Sequence, residues 1–436
     1  MSIFKKVNVG FVLTPGCRMA DIIETDIIFR FNPKTRSHYI AEAKGPVIGR
    51  SDFTVVANAT YDDCPELDVL VVGEMSERES VNKDLLKFVA AKAAKAKYVI
   101  GISNGVWTLF QAGLIKDEKI TADRNTLDRL RKEILNVVDK RKSIKDGKLL
   151  TSGPSTGAIE SAFAVYYELS GKWKTKFAEL TLEYDALVQY PLLSNIVLQV
   201  PKDPKPLKVG VFAAPNIFIP DVMGAVDVFG ALPNCEFHYV SHTKGTSKSM
   251  IGFGPDIEST VTFDNCPQLD VLIVGATHPK YLKDPEVLDF ILHQEKNASA
   301  IICVCAGTFL VGATGLLEGK NAATNYQQAQ SLPKIGVTPT DQEIAVDGKF
   351  FSAGPAVGSY TVGLKAVEKI VGREWAQYIE HEVLEFAPNP LFGAGSAKTA
   401  DKSAVLLAKA MSTLLLNPLF NSFLKKGYYA QGIKPK

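Results

Sequence analysis

A ten-residue stretch of this chain occurs twice. Cys64-Pro65-Glu66-Leu67-Asp68-Val69-Leu70-Val71-Val72-Gly73 returns as Cys266-Pro267-Gln268-Leu269-Asp270-Val271-Leu272-Ile273-Val274-Gly275, identical at eight of ten positions and 202 residues later. The offset stays nearly constant elsewhere. Gly10 to Asp21 matches Gly210 to Asp221, Asp146-Gly147-Lys148 matches Asp347-Gly348-Lys349, and Gly153-Pro154 matches Gly354-Pro355. Leu182-Glu183-Tyr184 likewise matches Leu384-Glu385-Phe386. A period this long marks a tandem duplication of a whole domain. The 436 residues then divide into two copies, each long enough to bury its own core. The expected boundaries are a first copy at 1–200, a linker at 201–207, a second copy at 208–400 and a C-terminal extension at 401–436. The linker carries Pro201, Pro204 and Pro206, which stiffen an extended chain.

Within each copy, short apolar runs alternate with helical patterns. Val7–Leu13, Lys208–Ala214, Leu67–Val72 and Leu269–Val274 are nearly continuous apolar runs bounded by Pro or Gly, the pattern of strands buried on both faces. Pro285–Gln294 places Val287, Leu288, Phe290, Ile291 and Leu292 at helical spacing. Strand–helix alternation with buried strands predicts an α/β fold: two tandem flavodoxin-like domains, each a doubly wound parallel sheet. Such sheets bind ligands at the carboxyl ends of their strands, in the strand-to-helix turns.

Charge and cysteine content remove several classes of function. Lys and Arg total 49 against 47 Asp and Glu, a net charge of +2; a protein holding nucleic acid through phosphate contacts carries a larger or segregated basic excess. No apolar run approaches the ~20 residues of a membrane span, and Met1–Lys6 leads into a strand pattern with no signal segment. Six cysteines make no disulfide framework in a chain of this length, so a reducing, cytoplasmic setting is expected. The triplets at Asn58 and Asn297 are then chance matches to a glycan acceptor.

One turn carries the chemistry. Ala300–Val304 reads as a buried strand, Cys305-Ala306-Gly307-Thr308 follows, and a helix runs through Phe309, Leu310 and Ala313. Cys305 thus stands at a nucleophile elbow, where a small residue and then a glycine let the chain fold back sharply. Unpaired N–H groups at the helix start favour negative charge, which predicts a thiolate near neutral pH and a cradle for an anion formed when it attacks. The alternative is a buried, inert cysteine, the reading given to Cys303. Cys303-Val304-Cys305 has no second Cys or His pair at ligand spacing, so no metal is expected.

These residues carry a resemblance. Val304 to Thr308 together with Ala313-Thr314-Gly315-Leu316-Leu317-Glu318-Gly319-Lys320-Asn321-Ala322-Ala323-Thr324 resembles the PfpI/ThiJ superfamily, which has a class I glutamine amidotransferase-like fold. Leu384-Glu385-Phe386-Ala387-Pro388-Asn389-Pro390-Leu391-Phe392-Gly393-Ala394-Gly395-Ser396, and Phe263-x3-Pro267-x-Leu269-Asp270, are similar to its isonitrile hydratase branch in particular. The resemblance implies a carboxylate partner in the first strand-to-helix loop, and Pro215 to Asp221 fits that loop, so Asp221 is the implied acid/base. A carboxyl beside a thiolate is held protonated by like charge and desolvation and can deliver a proton; a plain helix cap at Asp221 is the other reading. Backbone groups near Gly275, Ala306 and Gly307 would bind substrate or an oxyanion, and no metal or organic cofactor is required. Two positions depart from the family: Asn325 replaces a common histidine, and Ala306 replaces the branch's threonine. None of His38, His238, His242, His278, His293 and His381 falls at a family position.

The first copy has lost the nucleophile. Ser103 aligns with Cys305 in Ile100-Gly101-Ile102-Ser103-Asn104-Gly105-Val106-Trp107; Asp21 persists, Asp123 aligns with Asn325, and Trp107 replaces Phe309. A serine without an adjacent histidine base has essentially no alkoxide at neutral pH, and an ordinary carboxylate such as Asp21 is a poor base for a hydroxyl, so residues 1–200 read as a degenerate copy. The family's dimeric habit implies that the tandem copies form an intramolecular pseudo-dimer, with a homodimer of whole chains also open. The extension places Val405, Leu406, Ala410, Leu414, Leu415, Leu419 and Phe423 about every four residues before Lys425-Lys426 and a basic end at Lys434 and Lys436. It is expected to dock on the protein's own core, with a reversible membrane-surface helix as the alternative. Two functions stay open. One is a hydro-lyase converting a small isonitrile to an N-substituted formamide, with glyoxalase or deglycase chemistry on small aldehydes as its sister. The other is a non-catalytic stress-response or ligand-binding protein whose Cys305 is oxidised rather than turned over.

Overall fold

The computed structural model describes residues 6–138, 142–186, 197–250, 252, 254–340 and 342–424. The chain forms two compact units, Met1–Ala178 with Leu384–Leu391, and Glu179–Val383 with Phe392–Lys436. Each unit therefore includes a short piece carried by the other repeat's stretch of sequence. Glu183 belongs to the second unit and Glu385 to the first.

Each unit holds a seven-stranded sheet among the described residues. In the first, β1 (Val7–Val12) pairs in parallel with Thr35–Ala41 on one side and with β2 (Val69–Val72) on the other. β2 continues to β3 (Tyr98–Ile102) and then β4 (Leu149–Ser152), also parallel. The second unit repeats this with β5 (Leu207–Phe212), β6 (Val271–Val274), β7 (Ala300–Val304) and β8 (Phe350–Ala353). Ser143–Asp146 and Ile344–Asp347 close the two sheets as antiparallel edges. These are two flavodoxin-like, doubly wound α/β units, as the alternating pattern requires. Every residue of β2, β4, β6, β7 and β8 is buried, which explains why β2, β6 and β7 read as solid apolar runs rather than alternation.

The helices follow local signals. Asp284 caps Pro285–Glu295 by accepting N–H bonds from Glu286 and Val287, with Pro285 preset at the first helical position. The proline-rich connection at 201–206 has no regular structure, and the Lys202 carbonyl accepts the Trp375 indole N–H at 2.9 Å. The extension forms a helix at Lys402–Met411 and another at Asn417–Leu424. It docks: Phe420 packs on Phe309 at 5.6 Å between ring centroids, and Lys283 donates to the Ser422 carbonyl. Leu406 and Leu414 stay exposed, at 70% and 73%. The side chains of Leu415 and Leu419, and the basic end from Lys425 on, lie outside the described residues. No helix among the described residues is long and apolar enough to cross a membrane.

Candidate active site

In the second unit, α3 (Pro220–Gly230) follows β5 and the short α4 (Gly307–Gly312) follows β7. Cys305 joins β7 to α4 with φ of +55°, the left-handed region that an L-residue enters only under tertiary constraint. Three bonds supply that constraint. Its N–H donates to the Ala353 carbonyl at 2.9 Å, its own carbonyl accepts from Thr308 N–H, and that same carbonyl takes the Thr324 hydroxyl at 2.6 Å. Gly307 is required by packing: a Cβ there would come within 2.1 Å of the Val274 carbonyl oxygen. Gly275 lets Asp221 approach, since its Cβ would fall 2.9 Å from the Cβ of Asp221. Both glycines therefore have a packing reason to be present, whatever they offer a substrate. The Ala306 N–H points at the Cys305 sulfur and favours its charged form.

Asp221 is fully buried in the first turn of α3. It does not cap that helix. Its two oxygens accept the backbone N–H of Ala276 at 3.0 Å and of Ala356 at 2.9 Å, and the Cys305 thiol also donates to it. Burial raises its pKa to about 7, with those three donors pulling the other way. Ala356 is itself left-handed, at φ +48°.

The thiolate expected from the helix start is not what the structure builds. Burial pushes the Cys305 thiol well above its ordinary range, and the charges of Asp221 and Glu183 push it further; Ala306 N–H and the Asn325 amide only partly offset them. α4 spans six residues, too short a dipole to prevail over desolvation and two carboxyl groups. The site is a thiol–carboxyl pair sharing protons, whose titration belongs to the pair. Asn325, where the family commonly has histidine, donates its side-chain N–H to Cys305 Sγ at 3.4 Å and to Gln328 at 2.7 Å. It can orient the sulfur but cannot take its proton.

Glu183 is the residue that sequence reasoning passed over. It sits at φ +49°, and its Oε1 accepts the Tyr326 N–H at 2.8 Å. Burial raises its pKa to about 8, with Glu343 and Asp221 adding to the rise. The signal was available in the repeated Leu-Glu-aromatic triplet, but nothing in the sequence connects residue 183 with residue 305.

The first unit keeps the same backbone with different groups. α2 (Gly105–Gln111) follows β3, and Ser103 sits at φ +50° with its N–H bonded to the Ser152 carbonyl at 2.8 Å. Its hydroxyl is buried with no hydrogen-bond partner. Asp21, in α1 (Met19–Arg30), accepts the Glu74 N–H at 2.8 Å and forms a buried ion pair with Arg18 at 3.4 Å. Arg18 stands where the second copy has Phe218. Asn104, aligned with Ala306, ties down both backbone groups of Met75, at 2.8 and 2.6 Å. Trp107 is buried beneath the Arg129 guanidinium at 3.6 Å, and Asp123 caps the helix Arg124–Leu130. Among the described residues of the chain no group of three His, Cys, Asp or Glu side chains is placed to hold a metal.

A cysteine on a strained strand-to-helix elbow, beside a buried carboxyl in a doubly wound sheet, defines a class of thiol-bearing α/β proteins. Comparison with known sequences makes the class specific. The DJ-1/PfpI family matches residues 7–167 and again 208–369, and the chain belongs to that family, in two tandem copies. It is similar to an isonitrile hydratase of Pseudomonas putida, with 33% identity over 201 residues, covering 46% of this chain and 87% of that protein. Among solved structures it is similar to a ThiJ/PfpI family protein from Pseudomonas syringae (TM-score 0.47, 24% identity, 50% of this chain and 90% of the other). Another is DJ-1beta of Drosophila melanogaster (TM-score 0.37, 19% identity, 40% of this chain and 96% of the other).

Proposed function

We propose that the second unit is a cysteine-dependent hydro-lyase that hydrates a small isonitrile to an N-substituted formamide, with Cys305 as nucleophile and Asp221 as acid/base. The observation that carries this reading is the thiol–carboxyl pair: Cys305 donates to Asp221, whose pKa lies near 7. A group poised near neutrality can both accept and return a proton. An isonitrile carbon accepts a nucleophile and a proton at the same atom, which matches a thiol whose own proton is relayed by an adjacent carboxyl. As the S–C bond forms, the thiol proton passes through Asp221 to that carbon, giving a thioimidate. Water then adds to the same carbon, the C–S bond breaks, and formamide leaves with the thiol restored. Gly275, Ala306 and Gly307 line the approach in this reading, and no cofactor takes part. The similarity to an isonitrile hydratase supports the substrate class.

The redox reading needs an accessible thiol of low pKa. Cys305 is only partly exposed and its pKa is pushed up, which favours the enzyme. The deciding experiment assays the full chain and Cys305→Ala against a panel of isonitriles and 2-oxoaldehydes. Isonitrile turnover lost in Cys305→Ala supports hydration; turnover of 2-oxoaldehydes alone moves the protein to aldehyde chemistry; turnover of neither returns it to a binding role.

A further inference from the structure

Hydration of a thioimidate moves two protons at different atoms. Water must lose one as its oxygen bonds to carbon, and the nitrogen must gain one as the C=N bond becomes single. Asp221, already engaged with the sulfur and with two backbone N–H groups, serves the sulfur and carbon side. The nitrogen side needs another donor. Ala306 and Gly307 offer only amide N–H groups, and Asn325 offers an amide that does not release its proton.

We propose that Glu183 is the proton donor to the substrate nitrogen in the Cys305 reaction. This role rests on the hydratase reading above. Three observations lead to it. First, Glu183 is held at the site's edge by two neighbouring loops: Oε1 accepts the N–H of Tyr326, the residue next to Asn325, and Oε2 lies over Gly354, two residues before Ala356, where a Cβ would approach it to 2.5 Å. Second, Glu183 holds a strained backbone, φ +49°, to present that carboxyl, a cost that only surrounding structure can maintain. Third, it is electrostatically in touch with both members of the pair: its charge acts on Cys305 and that of Asp221 acts on it. Near pH 7 Glu183 keeps its proton, since burial raises its pKa to about 8. It is then a carboxylic acid able to give that proton to nitrogen and recover it from water by way of the Asp221 side.

The first unit provides an internal control. Glu385 adopts the same posture, φ +45°, with Oε1 accepting the Arg124 N–H at 3.3 Å and Oε2 2.7 Å from where a Cβ on Gly153 would lie. Its electrostatic neighbours are Lys142, Asp123 and Arg124, where Glu183 has Asp221 and the Cys305 thiol.

The test uses the full chain with a substrate isonitrile, comparing Glu183→Gln, Gly354→Ala and Glu385→Gln. Glutamine keeps the acceptor for Tyr326 N–H and loses the transferable proton. Turnover by Glu183→Gln should fall about 10²-fold, within the range for a lost general acid, and the chain should accumulate an adduct heavier by the whole isonitrile. Gly354→Ala retains every ionisable group and displaces Oε2; it should lose roughly tenfold and carries the test if Glu183→Gln does not fold. Glu385→Gln should turn over at the wild-type rate. In addition, the pH midpoint for alkylation of Cys305 by iodoacetamide should fall in Glu183→Gln, a change that a purely structural role would not give. Undiminished turnover in Glu183→Gln overturns the assignment, and so does slowed turnover without the adduct, which would put Glu183 before S–C bond formation. Failure of the wild type to hydrate any isonitrile overturns the hydratase reading itself, and this role with it.

Discussion

The two elbows share a backbone and differ in almost every group that could do chemistry. Cys305 and Ser103 sit at φ +55° and +50° on equivalent turns, each followed by a helix and each tied by its N–H to the end of the neighbouring strand. Around Cys305 the acids have no ion-pair partner among the described residues and are driven toward neutrality by burial. Around Ser103 the corresponding acid carries a buried arginine, and an asparagine clamps the backbone where Ala306 leaves room. Both units hold the strained turn, but the groups around it differ: among the described residues the first has a buried hydroxyl with no hydrogen-bond partner and an ion-paired aspartate, the second a thiol hydrogen-bonded to a buried carboxyl. The turn geometry alone therefore does not distinguish the two elbows; the partners of the adjacent carboxyl do.

The sharpest way to break this comparison is removal of each elbow side chain. Cys305→Ala should abolish isonitrile turnover, with residual rate below about a thousandth of wild type given what a nucleophile contributes. Ser103→Ala should leave the rate unchanged. Equal losses in both would show two working sites.

Next come the paired aspartates. Asp221→Asn should cut turnover by about 10²–10⁴-fold. It should also cost about 1–3 kcal/mol of stability, because an amide has only one acceptor for the two N–H groups of Ala276 and Ala356. Asp21→Asn should spare turnover and cost more stability, about 3–5 kcal/mol, by removing one partner of the buried ion pair with Arg18. Denaturant melts beside a rate assay separate the two, and a rate loss in Asp21→Asn would contradict the comparison.

A smaller effect is expected on the pH dependence of stability. Asp221 is raised to about 7 from an ordinary 3.8, and Glu183 to about 8 from 4.5. A folded-state pKa above the unfolded one means that the unfolded chain releases these protons first. Their contribution is full below about pH 4 and is lost as pH rises toward 8, at a slope of at most about 1.4 kcal/mol per pH unit for each group. Asp221→Asn should flatten the profile between about pH 4 and 7; an unchanged slope would show that burial does not hold Asp221 protonated.

The smallest change sharpens the difference between the pockets. Ser103→Cys should add a second thiol without adding turnover, because Arg18, Asn104 and Trp107 keep the pocket as it is. Counting labelled thiols against rate per chain tests this, and a doubled rate would show that only the nucleophile had been lost. Cys305 itself should alkylate with a midpoint above the ~8.5 of a free thiol, contrary to what a helix start alone would suggest.

Much of this was legible in residue order. The 202-residue echo and the solid apolar runs of β2 and β6 specify a doubled α/β fold, and the Cys-Ala-Gly turn after β7 singles out one cysteine elbow. Those are local signals, since strand burial, tight turns and repetition are all written in neighbouring residues. The ionisation of Cys305 was not legible, nor was the purpose of Asp221's position. Both depend on desolvation and on charges brought from residues 183, 276 and 356, and electrostatic energies follow distance in space, not separation along the chain. Glu183 is the clearest case. Its triplet announced a repeat, but only folding takes a residue from the first copy's stretch of sequence into the second unit, beside Tyr326 and within reach of the Cys305 charge.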